Sequence, residues 1–190
     1  MSRSPAAAVE PVTAAEFGLF VEYLNDHLSD SGAGGPYFQP LQRGTSRLPP
    51  EKEAAFLAGL DIPLGSAGWR RAWVARSAER QIIGHVDLRS HPERFAEHRC
   101  LLGMGVHRGY RKLGLGATLL SHAEQWASTT AGLEWIDLQV LSENEVAIRL
   151  YLRMGFTKIG EIPEMFRIDG RALSYTSMTK RLTKSKDNAV

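Results

Sequence analysis

A single cysteine, Cys100, stands among 190 residues, and one thiol can form neither an intramolecular disulfide nor a zinc site of paired-cysteine spacing. A reducing, cytoplasmic setting without a metal is the expectation. Long apolar runs are also missing. No stretch is long enough to span a bilayer, and the Ser- and Ala-rich residues 1–9 lack the apolar core of a secretory signal. They read as a loose leader, and residues 183–190, with two lysines, one aspartate and little to bury, read as a frayed tail. Charge of one sign is scarce too: 23 Lys and Arg stand against 21 Asp and Glu, a net charge of +2. General affinity for nucleic acid or membrane is not expected from that balance. No repeat period is visible. What the chain does have is a soluble-globular composition, 43% hydrophobic and 23% charged, enough for one domain over residues 1–182 with a real core.

Helical spacing appears first at Phe17, Phe20, Val21 and Leu24, with Thr13 and Glu16 in capping-box register before it. Residues 29–50 are rich in Gly, Ser and Pro and read as a mobile loop bearing Tyr37 and Phe38. Pro50 sits where a helix starts, ahead of residues 51–60. Strands are predicted at 71–77 and 81–89, joined as a hairpin through Ala78, Glu79 and Arg80, and at 98–106. Leu119, Leu120, Ala123 and Ala127 mark an amphipathic helix, and 135–140 a short buried strand. Ser142 and Glu145 stand in capping-box register before Ala147, Leu150, Tyr151 and Met154, a helix that Gly155 ends. Strands at 157–166 and 172–180 close the chain around the turn pair Asp169-Gly170. The result is an α/β sheet.

The most informative segment runs Gly103-Met104-Gly105-Val106-His107-Arg108-Gly109-Tyr110-Arg111-Lys112-Leu113-Gly114-Leu115-Gly116, from strand through turn into helix. Its first three glycines miss the dinucleotide fingerprint by one residue. Gly109 and Gly114 have P-loop separation, but Leu115 and Gly116 stand where Lys and Ser/Thr must meet phosphate and magnesium. What remains is Arg111-x-x-Gly114-x-Gly116. A second block follows at the right separation: Asn144, Ala147, Leu150, Tyr151, Gly155 and Phe156, spaced Asn-x-x-Ala-x-x-Leu-Tyr-x-x-x-Gly-Phe after a strand. Asn144 and Tyr151 are two helical turns apart and share a face, about 10 Å along the axis.

In these two blocks the chain resembles the GNAT acyltransferases, from about residue 71 to 182. The resemblance implies a GNAT fold, with a central mixed, mostly antiparallel sheet of about seven strands flanked by about four helices, strands four and five splayed at the cofactor. It implies acetyl-CoA as co-substrate, with Arg111, Lys112, Leu113, Gly114, Leu115 and Gly116 at the pyrophosphate. The pantetheine would pair near Met104 and Val106 and meet Asn144. Glycines allow close backbone approach and a helix N-terminus favours phosphate, so the chemistry fits the residues. The resemblance makes Tyr151 the general acid that meets the departing thiolate. Taken singly, Tyr151 reads as a core tyrosine and Asn144 as a helix-start residue.

The pattern departs from the family at strand four, where some members carry a glutamate that deprotonates the amine. Cys100 stands there, after Glu97 and His98. Those two and His85 are the base candidates, Asp87 could face the acceptor, and Tyr37 and Phe38 could line its pocket. The expected reaction is direct transfer to a primary amine of a small molecule or a protein in a ternary complex, with a homodimer left open. A longer acyl donor, decided near Leu102 and Met104, and a non-catalytic module that senses CoA or binds a partner are the alternatives.

Overall fold

Alternation along a single strand of the sheet decides which helices cover which face. In the computed structural model, which describes residues 8–44 and 47–183, strand β2 (Arg70–Arg76) sends Ala72 and Val74 toward one face and Trp73 and Ala75 toward the other. The first face packs under α1 (Phe17–Ser29) and α2 (Pro50–Asp61), through Phe17, Phe20, Val21, Leu24 and Phe56. The second packs under α3 (Leu115–Thr129), whose Leu119, Leu120, Ala123 and Ala127 are all fully buried. These are the residues that helical spacing selected in the sequence. Burying one apolar side chain of this size stabilises the fold by roughly 1.5–3 kcal/mol, so the two stripes fix both layers.

Seven strands form one sheet in the order β1-β2-β3-β4-β5-β7-β6. After β2 come β3 (Ile82–Ser90), β4 (Arg99–Val106), β5 (Trp135–Leu141), β6 (Thr157–Ile168) and β7 (Arg171–Arg181). Only β4 and β5 pair in parallel, and every other neighbour is antiparallel. With α4 (Glu145–Arg153) the described residues hold four α-helices around a mixed sheet, as the resemblance implied. Asp169 and Gly170, at φ 50° and 74°, make the two-residue turn between β6 and β7, as the pair predicted.

Local expectations were corrected in four places. Val9 does not belong to a loose leader, because Val9–Pro11 forms β1, paired with Trp73, Val74 and Ala75; residues 1–7 and 184–190 of the expected leader and tail lie outside the described residues. Thr13 and Glu16 do not form a capping box: Thr13 precedes a short 3₁₀ turn without a side-chain cap, and Glu16 turns to Arg76 instead, 2.8 Å away. Ser142 does not cap α4 either. Its hydroxyl meets Thr176 at 2.8 Å, and Asn144 Oδ1 takes the Ala147 N–H. The loop after α1 is held at its centre. Tyr37 is fully buried, its hydroxyl donates to Asp169 at 2.6 Å and its N–H donates to Glu143 at 2.8 Å.

Candidate active site

The parallel pair β4–β5 is short. Its register covers only Arg99 with Trp135, Cys100 with Ile136, and Leu101 with Asp137. Both strands run on beyond that point, β4 still paired with β3 up to Val106 and β5 with β7 up to Leu141. Two strands held by different neighbours and no longer by each other must part, and a cavity of ≈ 1440 Å³ opens at the gap. Its walls include Met104 and Val106 on one side and Val140, Asn144, Ala147, Leu150 and Tyr151 on the other. The apolar face of α4 therefore faces a cavity as well as the core.

One end of the cavity is the turn into α3. Lys112 and Gly114 both have left-handed φ, 63° and 83°, and Gly114 is the residue before the first helical turn. Ala117 and Thr118 return their N–H groups to Gly114 O, while the earlier N–H groups of such a helix have no partner within it. Gly116 packs tightly: a Cβ there would come within 3.0 Å of Leu150 on α4. Arg111, Lys112, Gly114, Leu115 and Gly116 all line the cavity. Leu113 does not border it and is 57% exposed. Arg111 is also engaged elsewhere. Its guanidinium pairs with Asp30 at the end of α1, donates to Val106 O at 3.2 Å and lies over the Phe38 ring.

Tyr151 sits in the cavity wall from the last turn of α4, against Phe156 with ring centroids 5.7 Å apart. Burial pushes its hydroxyl well above the ordinary tyrosine range. The group is thus a neutral O–H at pH 7, a proton donor rather than a phenolate. No hydrogen-bond partner is present for it among the described residues. Asn144, two turns earlier, uses its side-chain oxygen for the helix cap at 3.3 Å and still borders the cavity.

The other end of the cavity lies on the α1–α2 face of the sheet. Gly103 and Gly105 of β4 leave room there. The space that a Cβ at 103 would occupy is taken by the carboxylate of Asp87 and by Arg89, and at 105 by the rings of His27 and His85. Asp87 pairs with Arg70 and Arg89 through Oδ1. His85 Nδ1 meets the Tyr23 hydroxyl at 3.2 Å, and that hydroxyl also donates to Gly105 O at 3.3 Å. Burial pulls both imidazoles below the ordinary histidine value, His85 to about 4 and His27 to about 3, the neighbouring His85 adding to the effect on His27. Phe38 stacks on His27 at 4.7 Å between centroids.

Of the base candidates, only His85 reaches the cavity. Glu97 and His98 are exposed, in the turn ahead of β4, and do not border it. Asp87 does face it, as does Phe38, whereas Tyr37 is buried beneath the loop. Cys100 points away into the α3 core, fully buried, and burial pushes its thiol up to about 12. His27 and Arg89 did not emerge from the sequence. The signal for His27 was present, because Tyr23 and Leu24 precede it by four and three residues and put it on the buried stripe of α1. Among the described residues no group of three or more His, Cys, Asp or Glu could hold a metal, and no helix is long and apolar enough to cross a membrane.

The family and the fold have counterparts among known proteins. The model of the acetyltransferase (GNAT) family matches residues 42–156. The N-terminal acetyltransferase A complex catalytic subunit NAA10 of Arabidopsis thaliana is 28% identical over 98 residues, 52% of this chain and 51% of that one. The chain thus spans about half the length of that relative. An acetyltransferase of the GNAT family from Streptococcus pneumoniae has the same fold, with a TM-score of 0.76 at 22% identity over 92% of this chain and 98% of that one. So does yncA from Salmonella typhimurium, a structure with its cofactor acetyl-CoA, with a TM-score of 0.73 at 18% identity over 98% of this chain and 100% of that one.

Proposed function

Because the chain belongs to the acetyltransferase (GNAT) family, we propose that it transfers an acetyl group from acetyl-CoA to a primary amine by direct attack in a ternary complex. The observation that carries the reading is the parting of β4 from β5 after Leu101 and Asp137. It opens a cavity with the glycine-rich start of α3 and Lys112 at one end and titratable groups at the other.

The walls suit the co-substrate. Acetyl-CoA supplies an acetyl group activated as a thioester. The first-turn N–H groups of α3 and the Lys112 ammonium would hold its phosphates, aided by the helix dipole. The edge of β4 from 102 to 106, paired on its β3 side alone, offers backbone groups to an extended amide-bearing arm near Met104 and Val106. Asn144, with its oxygen spent on the cap, has its amide N–H₂ left to donate.

Tyr151 holds a proton that a departing thiolate needs, and its lack of a competing acceptor leaves it free to give one. His85 and Asp87 carry lone pairs on the opposite side. Neutral at pH 7, His85 can take a proton and pass it to solvent, although a pKa of about 4 makes it a weak base. Cys100 has no part in the transfer, because its thiol is in the core and protonated. The same buried, unpaired thiol suits the cytoplasm, which is the proposed setting.

The test is thiol release from acetyl-CoA in the presence of a panel of primary amines, each product confirmed by mass. Amine-dependent release with intersecting double-reciprocal lines supports the reading. Binding of acetyl-CoA without release for any amine would make the chain a sensor or partner-binding module instead.

A further inference from the structure

We infer that the acceptor end of the cavity is built for an amine that also carries a carboxylate, an α-amino acid in its simplest form. Arg89 and Arg70 hold the carboxylate and Asp87 holds the amine. The inference rests on the acetyl-transfer reading and narrows it to a substrate class.

The geometry is that of one carboxylate between two guanidiniums. Asp87 Oδ1 pairs with Arg70 Nε and with Arg89 Nη1, each at 3.3 Å. Both arginines sit on the α1–α2 face of the sheet, on strands β2 and β3, and both border the cavity. One negative charge cannot balance two positive ones, so this wall keeps a positive charge. Arg70 is the more telling of the pair. Its side chain is only 21% exposed, it lies over the Phe56 ring at 4.1 Å, and burial lowers its pKa. Desolvating a cation without a full counter-charge is costly. A ligand carboxylate supplies what is missing, and the remaining guanidinium N–H groups of Arg70 and Arg89, unpaired among the described residues, present the planar donor fork that a carboxylate fits.

Asp87 supplies the complementary half. Oδ2 takes part in neither ion pair and leans over Gly103, where the absent side chain gives it access to the gap between β4 and β5. An acceptor for an ammonium therefore stands beside donors for a carboxylate, the charge pattern of a zwitterion. Polycationic amines meet the opposite. Lys52 adds a further positive charge to the cavity wall, and the neutral imidazoles of His27 and His85 add no negative one.

The experiment uses matched acceptors: L-leucine, L-leucine methyl ester and isopentylamine, with the same triplet built on L-phenylalanine and on L-alanine, and spermidine as a polycation. Acetyl transfer is followed by thiol release, and binding to the CoA-saturated protein by calorimetry. The expected result is that the best free acid exceeds its own ester and amine by roughly 10- to 100-fold in kcat/KM, the effect of hydrogen bonds to a charged group. Arg89→Gln should shrink that ratio toward one, and Arg89→Lys should restore part of it, which a merely structural role for Arg89 would not produce. Transfer with esters, simple amines or spermidine equal to or better than the acids, or a ratio unmoved in Arg89→Gln, overturns the inference while leaving acetyl transfer standing. If no amine is acetylated, the transfer reading fails by itself and calorimetry decides: a free acid binding more tightly than its ester supports the anchor, and equal or absent binding refutes it.

Discussion

The carboxylate of Asp87 occupies the space that a side chain at position 103 would need, so Gly103 on β4 and Asp87 on β3 form one feature divided between two strands. Gly103→Ala must therefore turn the carboxylate away from the gap. Asp87 is held by two arginines, which limits how far it can yield. The expected outcome is a KM for the amine raised roughly tenfold, equivalent to one lost charged hydrogen bond. The thermal shift given by acetyl-CoA should be unchanged. Steady-state kinetics and a melting curve, run side by side, check both halves.

Gly114 works by conformation. Its φ is +83° and nothing stands within 4 Å of the place a Cβ would take. A β-branched residue is strained in that backbone region whatever the space. Gly114→Val should erase the acetyl-CoA-dependent stabilisation, which for the parent protein is about 2.7 kcal/mol at a ligand concentration of 100 Kd. Thermal melts with and without acetyl-CoA measure it, and a full shift retained in the variant would remove the turn from the binding site.

Tyr151→Phe removes a hydroxyl and leaves the ring against Phe156. Loss of a general acid typically lowers kcat by about 10² to 10⁴, with little change in acetyl-CoA affinity. An unchanged kcat, with chemistry shown to be rate-limiting by single-turnover measurement, would end the proposed role.

Cys100→Ala should keep kcat within about twofold, because the thiol has no access to the cavity and is fully protonated. The cost should appear in stability instead, about 1 kcal/mol for trimming a packed core side chain. Parallel double-reciprocal lines together with an acetylated Cys100 peptide would overturn direct transfer.

His27 and His85 make stability depend on pH. Their folded pKa values, about 3 and about 4, lie below the ordinary 6.5. The unfolded chain therefore takes up protons that the folded chain refuses. The stabilisation is fully present above about 6.5 and is lost as pH falls from there, toward about 4 for His85 and toward about 3 for His27. Each histidine contributes a slope of about 1.4 kcal/mol per pH unit inside that window. The melting temperature should fall between pH 7 and pH 5, and His27→Phe, which also removes a buried Nδ1 without a partner, should flatten the decline.

Much of the fold could be read from spacing. The stripes of α1 and α3 were legible because a buried helix face repeats at three and four residues, and Asp169-Gly170 was legible because few residues accept two left-handed positions in succession. Strand β1 was not. Three residues, one of them proline, show no period, and what holds them is the edge of β2. The turn 111–116 could be located by its glycines, but the partner of Arg111 could not, since Asp30 lies 81 positions away and only the fold brings it near. Both capping boxes were misplaced for a related reason. A hydroxyl in the right register still chooses among neighbours, and Thr176 across the sheet drew Ser142 away. The arrangement of Asp87, Arg70 and Arg89 was hidden because it depends on what β4 lacks at Gly103.

The anchoring of Tyr37 has a consequence for how the protein breathes. Its hydroxyl and its N–H tie the loop after α1 to Asp169 in the β6–β7 turn and to Glu143 just before α4. Arg43 adds a backbone N–H to the same carboxylate of Asp169, 3.0 Å away. A glycine-rich segment of this length would ordinarily open on its own and exchange its amide hydrogens quickly. Here the opening must break contacts with two distant parts of the chain. Amide exchange at Tyr37 and Arg43 should consequently follow that of the β6–β7 hairpin end, and Tyr37→Phe should release the loop to exchange at a rate of its own.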